Sequence, residues 1–151
     1  MREITKIILH CSASNFGDAK LINDWHLYKG WDGIGYNYVV TNGYTSYSDY
    51  THNTMTNIDG GIEVGRDITL TPAHCYGHNR HSIGVCLIGV KDFSDIQLSE
   101  SIILVRKLMK EYNLKIEDIF GHCEFNDEKT CPNFDMNKYR NMLRIIENLA
   151  I

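Results

Sequence analysis

The sequence predicts an α/β fold, a single domain over residues 1–151 in which a mixed central β-sheet is flanked by α-helices. Three observations predict it. Short runs rich in isoleucine and valine alternate with longer segments whose apolar residues recur every three or four positions, the pattern of strands joined by helical crossovers. The run "SIGVCLIGV" (82–90) is almost continuously apolar, as expected of a strand covered on both faces. Asn42-Gly43 is a strong hairpin signal, which adds at least one antiparallel pair to the parallel pairing that crossovers permit. A chain of 151 residues is long enough for one substantial core and too short for two ordinary domains.

The elements follow in order. "ITKIILH" (4–10) reads as a short buried strand that delivers His10 at its C-terminal end. "DAKLINDWHLYKG" (18–30) reads as a helix capped by Asp18 and closed by Gly30, with Leu21, Trp25 and Tyr28 at helical spacing. "YNYVVTNG" (36–43) is a strand turning at Asn42-Gly43, and the polar stretch 44–61 is an extended hairpin or surface loop before a return strand, "IEVGRDITL" (62–70). After the strand at 82–90, residues 95–112 form a long amphipathic helix with Leu98, Ile102, Val105, Leu108, Met109 and Tyr112 on one face. "IFGHCE" is a short strand ending in His122. The last helix, 135–150, takes Asp135 as its cap and turns Tyr139, Leu143, Ile146 and Leu149 toward the core.

Composition narrows the function. Fifteen basic and 19 acidic residues give a formal charge of −4, and no basic block follows a phosphate backbone, so nucleic acid is not an expected partner. No apolar run approaches the roughly 20 residues that cross a bilayer, and "MREITKIILHCS" lacks the layout of a signal peptide. Synthesis in a cytoplasm, without membrane insertion and as a monomer, is the expectation. The five cysteines, Cys11, Cys75, Cys86, Cys123 and Cys131, include no close C-x-x-C pair, which disfavours a disulfide framework. Cys86, Cys11 and Cys75 fit small buried hydrophobes.

Chemistry concentrates at strand ends. His10 and His122 each close a short apolar strand, where sheets typically open into a pocket, and Cys131 follows His122 across the loop "GHCEFNDEKTCPNF". Two imidazoles and a thiolate suit zinc and leave the fourth tetrahedral position to water. Spacing alone does not separate such a site from a loop with a stray thiol. Lys129, two residues before that thiol, is suited to stabilising an oxyanion but is equally a solvated loop lysine. Tyr36, after "WDGIG", offers a phenol to the same chemistry or simply packs at a strand start.

Taken in chain order, "IILHCSAS", "GWDGIGYNYVV", "EVGRD", "AHCYGHNRHSIGVCLIG" and "GHCEFNDEKTCPNFD" resemble the successive motifs of the zinc N-acetylmuramoyl-L-alanine amidases, which include phage endolysins and peptidoglycan recognition proteins. The resemblance runs from about residue 4 to residue 137. It implies His10, His122 and Cys131 as Zn2+ ligands and Tyr36 and Lys129 as catalytic residues. It also implies that His74 and Asn79 line a peptidoglycan groove, with Arg66 near it. The reaction implied is hydrolysis of the amide between N-acetylmuramic acid and L-alanine; such an enzyme is expected to reach the cell wall after release with help from another protein, or to act on wall fragments inside the cell. Two departures stand out. Asn37 replaces a histidine frequent in phage members and is expected to alter the groove rather than the metal. The 44–61 stretch exceeds the tight hairpin many members have, so it extends the cleft or is a tolerated insertion.

Three rival readings were weighed. "HCE" at 122–124 fits the H-x-E fragment of zinc nucleobase deaminases, but "TCPNFD" lacks their P-C-x-x-C. A non-catalytic peptidoglycan-binding module of the same family typically lacks the thiolate ligand. A muropeptide-recycling amidase generally carries an acidic third ligand where this chain has Cys131.

Overall fold

The computed structural model describes residues 1–149 and contains a five-stranded mixed sheet with helices on both faces. The strands are β1 (Lys6–Cys11), β2 (Tyr38–Asn42), β3 (Asp59–Val64), β4 (Ser82–Leu87) and β5 (Ile119–Gly121), in the spatial order β3-β2-β4-β1-β5. The β1–β4, β1–β5 and β2–β4 pairs are parallel, and β2–β3 is antiparallel. The helices are α1 (Ala19–Tyr28), α2 (Tyr47–Thr51), α3 (Asp95–Tyr112) and α4 (Met136–Leu149).

Strand periodicity assigns the two faces. Ile7 and Leu9 of β1, Val40 of β2 and Ile83, Val85 and Leu87 of β4 point to one side, where Ile102, Val105 and Leu108 of α3 and Tyr139 and Leu143 of α4 bury them. On the other side α1 packs Ile22 with Ile34, Val39, Cys86 and Ile88, and so covers only the β2–β4 part. His10, one residue out of phase with Ile7 and Leu9, faces this second side at only 1% exposure. The functional site forms on the part of this face that α1 leaves open.

Local chemistry sets the ends of the elements. The Asp18 carboxylate accepts the Leu21 N–H at 2.8 Å, as its predicted capping role requires. Ser94 accepts the Gln97 N–H at 3.0 Å to start α3, and Asn113 ends it at φ 55°, in the left-handed region that asparagine tolerates. Gln97 then ties α3 to the sheet by donating to the carbonyls of Ile88 at 2.7 Å and Val40 at 3.1 Å.

Four expectations change. The buried stripe of α1 is Ile22 and His26, while Tyr28 is 95% exposed; His26 tolerates burial because its Nδ1 accepts the Gly35 N–H at 2.9 Å. The antiparallel β2–β3 pair exists, but its connection is no tight hairpin. Residues 44–58 carry the short helix α2, capped by Ser46, and Thr45 and Thr56 both donate to Asp49. The return strand begins at Asp59 and stops at Val64, because Gly65 and Arg66 turn back to donate to the carbonyls of Asn37 and Tyr36. Leu149 is 78% exposed instead of facing the core. The last residue of the expected helix, 150, and the last two of the expected domain, 150 and 151, lie outside the described residues.

Packing predicts a stability contrast within α4. Leu143→Ala, at a site with no exposure, should lower unfolding free energy by about 2–5 kcal/mol in urea titrations. Leu149→Ala should stay within about 0.5 kcal/mol of the parent chain.

Candidate metal centre and active-site cleft

His10, His122 and Cys131 converge although far apart in sequence: one ligand atom from each lies within 4.8 Å of the others. Each arrives by a different route. β1 carries His10 between β4 and β5, so hydrogen bonding on both sides fixes its backbone. β5 ends at Gly121, and His122 opens a single 3-10 turn, His122–Glu124. That turn is held by Glu124, whose carboxylate accepts the Gly121 N–H at 2.9 Å and both Arg140 guanidinium nitrogens of α4, at 2.9 and 3.0 Å. Cys131 returns to the cluster because the Cys123 N–H donates to its carbonyl at 2.8 Å, and its sulfur accepts the Cys11 N–H at 2.9 Å.

The same geometry disposes of the deaminase reading. Glu124 spends its carboxylate on Arg140 and the Gly121 amide, which lower it from the usual glutamate value, rather than serving the cluster as an acid or base.

Electrostatics prepares the ligands. Burial, then the neighbouring His74 and His122, pushes His10 well below an ordinary histidine. Burial and the Lys129 ammonium lower His122. Both imidazoles are therefore neutral near pH 7, the state a cation needs. Cys131 is raised by its contact with the Cys11 thiol and by burial, and lowered by the Cys11 amide. The two thiols hold one negative charge between them more easily than two, and a cation placed among His10, His122 and Cys131 draws that charge to the ligand sulfur. The donor set is thus matched in type, spacing and protonation to a borderline metal such as zinc.

Around the cluster lies an open cleft of about 630 Å³. Tyr36 lines it, with its ring centroid 5.1 Å from that of His10. Burial, and then the thiols of Cys86, Cys131 and Cys11, push its phenol well above 10, so it keeps its proton and acts as a donor. Lys129 stands exposed at the mouth, its N–H donating to the Asn126 carbonyl at 3.0 Å. His74 lies in the cleft wall with His10 2.7 Å away. Asn79 reaches the lining too, but its side-chain oxygen is engaged by the N–H groups of His74 and Cys75, at 2.8 and 2.9 Å.

Arg66 is not brought to the cleft. Its guanidinium donates to the carbonyls of Ile34 and Thr71, both at 2.9 Å, and of Gly33 at 3.4 Å, and it lines a separate depression with Asp32 and Leu70. Asn37, expected to shape the groove, is buried at 1% exposure, where it accepts the Gly84 N–H at 3.0 Å and donates to the Arg66 carbonyl at 3.1 Å. Residues the sequence reading passed over complete the cleft. The rings of His26 and Trp31 lie 4.6 Å apart, tilted by 52°, beside Tyr36, and Tyr76 also lines the cleft, 99% exposed. Helical spacing marked Trp25 rather than His26, so no local signal singled these out.

The pH response of the fold follows from His26. Burial, and then the charges of Lys29 and Arg66, bring it down to about 4. An unfolded histidine takes up a proton near pH 6.5, so between about pH 6.5 and pH 4 the unfolded chain binds more protons and stability falls as pH falls. His26→Asn keeps an acceptor near Nδ1 for Gly35 and removes this titration. The drop in metal-free Tm from pH 7 to pH 4.5 should therefore be smaller in the variant than in the parent.

Comparison with known proteins is consistent with this construction. The Amidase_2 family, described as N-acetylmuramoyl-L-alanine amidase, matches residues 1–134. The endolysin of Escherichia phage T7 is 30% identical over 145 residues, covering 88% of this chain and 83% of its own length. An N-acetylmuramoyl-L-alanine amidase, LysC from Clostridium intestinale, superposes with a TM-score of 0.76 at 23% identity, over 95% of this chain and 87% of its own. Drosophila PGRP-LB superposes with a TM-score of 0.65 at 20% identity, over 87% and 76%. With the family model matching residues 1–134 and a relative 30% identical over 83% of its own length, the chain belongs to the N-acetylmuramoyl-L-alanine amidase family and is an enzyme of that class.

Proposed function

We propose that the protein is a zinc-dependent endolysin that cuts the amide between N-acetylmuramic acid and the L-alanine of the stem peptide, acting on the cell wall after release. The observation that carries this reading is the convergence of His10, His122 and Cys131 within 4.8 Å, in a chain of the amidase family. Cys131 at the third position favours this reading over a non-catalytic peptidoglycan binder and over a recycling amidase with an acidic ligand. Phage endolysins among the relatives favour the wall as the place of action.

Zinc held by these three side chains supplies a Lewis acid for the scissile carbonyl and a means of making water nucleophilic at neutral pH. The chain's own groups do the rest. His10 and His122 enter as neutral imidazoles, so the cluster keeps net positive charge with a single thiolate. Tyr36, protonated and 5.1 Å from His10 ring to ring, orients the attacking water and relays that water's proton to the leaving amine, giving up its own proton and regaining one from the water. Lys129 approaches from the mouth and stabilises negative charge growing on the carbonyl oxygen. The aromatic rings of Trp31 and Tyr76, both lining the cleft, offer flat apolar surfaces to the sugar and peptide that flank the bond.

The test is release of new amino groups from purified peptidoglycan, with and without a chelator. Activity should vanish with the metal and return with added zinc; full activity in chelator would end the zinc reading. Lys129→Ala should keep about one zinc per chain yet lose roughly 100- to 1,000-fold in turnover. Cys131→Ser should lose zinc as well, whereas Cys123→Ser should keep it. Equal zinc loss in the Lys129 and Cys131 variants would contradict the assigned roles.

A further inference from the structure

His74 does something more specific than line a groove. Its Nδ1 lies 2.7 Å from Nε2 of His10, and its own Nε2 lies 2.9 Å from the Ser82 hydroxyl oxygen. Both ring nitrogens are therefore committed, and little polar capacity remains to meet a substrate. The ring is locked by more than these bonds. The His74 N–H donates to the Asn79 side-chain oxygen at 2.8 Å, and the imidazole lies flat against Gly84 of β4, where an added Cβ would come within 2.7 Å of its ring carbons. Ser82 is wholly buried, and its carbonyl accepts an Arg2 guanidinium N–H at 2.6 Å.

We propose that His74 is a positioning residue for the metal centre: with Ser82 behind it and Gly84 beneath it, it holds the His10 ring so that Nε2 carries the proton and Nδ1 is free to bind a cation. This rests on the metal-centre reading above. The proton order follows from balance along the chain of groups. A cation on Nδ1 leaves His10 with its single proton on Nε2, which donates to His74 Nδ1. His74 then carries its own proton on Nε2 and donates to the Ser82 oxygen. Each imidazole has one donor and one acceptor in use, and only this direction leaves Nδ1 of His10 without a proton. Partners of this kind, which fix the tautomer and orientation of a ligating histidine, typically change metal affinity by roughly 10- to 100-fold when removed.

The experiment measures zinc affinity by competition with a chromophoric chelator, the visible spectrum of the cobalt-substituted protein, and thermal unfolding of the metal-free forms. His74→Leu should lose about 10- to 100-fold in zinc affinity and alter the cobalt bands. His74→Asn, whose side-chain oxygen can stand near the position of Nδ1, should recover most of that affinity. Ser82→Ala should weaken zinc binding in the parent and add nothing in the His74→Asn background, where the relay is already cut. Gly84→Ala, which displaces the ring without changing its chemistry, should weaken zinc as well. A His74→Leu protein with the parent's zinc affinity and cobalt spectrum, and only a raised KM on peptidoglycan, would overturn the proposal and leave His74 a groove residue. If His74→Leu fails to fold, unchanged affinity in both Ser82→Ala and Gly84→Ala has the same force. A parent chain that binds neither ion would overturn the metal-centre reading itself, and this inference with it.

Discussion

A histidine inside a sheet is the constraint on which the rest of the site depends. His10 sits on a strand paired on both sides, so water is excluded and a charged imidazole is strongly disfavoured. A buried imidazole must find partners for two nitrogens. One contacts His74; the other is the nitrogen left for a cation shared with His122 and Cys131. The local polarity of the neighbourhood follows from that burial, because His74 and His122, both partly buried and both lowered below an ordinary histidine, meet the His10 ring there. The partial exclusion of water that lowers them also strengthens any interaction with charge placed among them.

The scaffold serves this requirement through asymmetry. One face of the sheet is fully closed by α3 and α4, which bury the larger apolar cluster and provide most of the stability. The other is closed only in part by α1, and loops complete it. Rigid elements position the demanding groups: β1 holds His10, and β5 with the Glu124–Arg140 pair holds the turn that presents His122. Side chains that line the walls of the cleft ride on loops, including Lys129, Trp31 and Tyr76. Such a division, precise chemistry on strands and recognition on loops, lets a cleft vary its walls without disturbing the centre.

Polar side chains with saturated hydrogen bonding act here as joints. Asn37 bridges β4 and the Arg66 segment, Arg66 binds the loop carbonyls of Gly33, Ile34 and Thr71, and Asn79 folds the His74 loop onto itself. Each stands in a stretch that the sequence marked by its resemblance to the amidases, and each is spent on backbone groups. Motif membership alone does not distinguish a residue that touches substrate from one that shapes the loop beside it, because both sit in the same short stretch of chain. Hydrogen-bond partners make the distinction.

By itself the sequence determined the fold class, the alternation of elements, the α1 and α3 spans and the cluster of ligand-type residues. Those properties are written locally: in periods of two and 3.6, in capping residues such as Asp18, and in residue chemistry such as the paired imidazoles and thiol. Tertiary structure decided which face each element buries when periodicity was ambiguous, as in α1, where a hydrogen bond from Gly35 drew His26 inward past Trp25. It also decided that the 44–58 segment holds a helical turn, that Leu149 faces solvent, that Arg66 turns away from the cleft, and that His74 meets Ser82. Those outcomes depend on contacts between residues distant along the chain, whose energies are comparable to local preferences and which no short window of sequence contains.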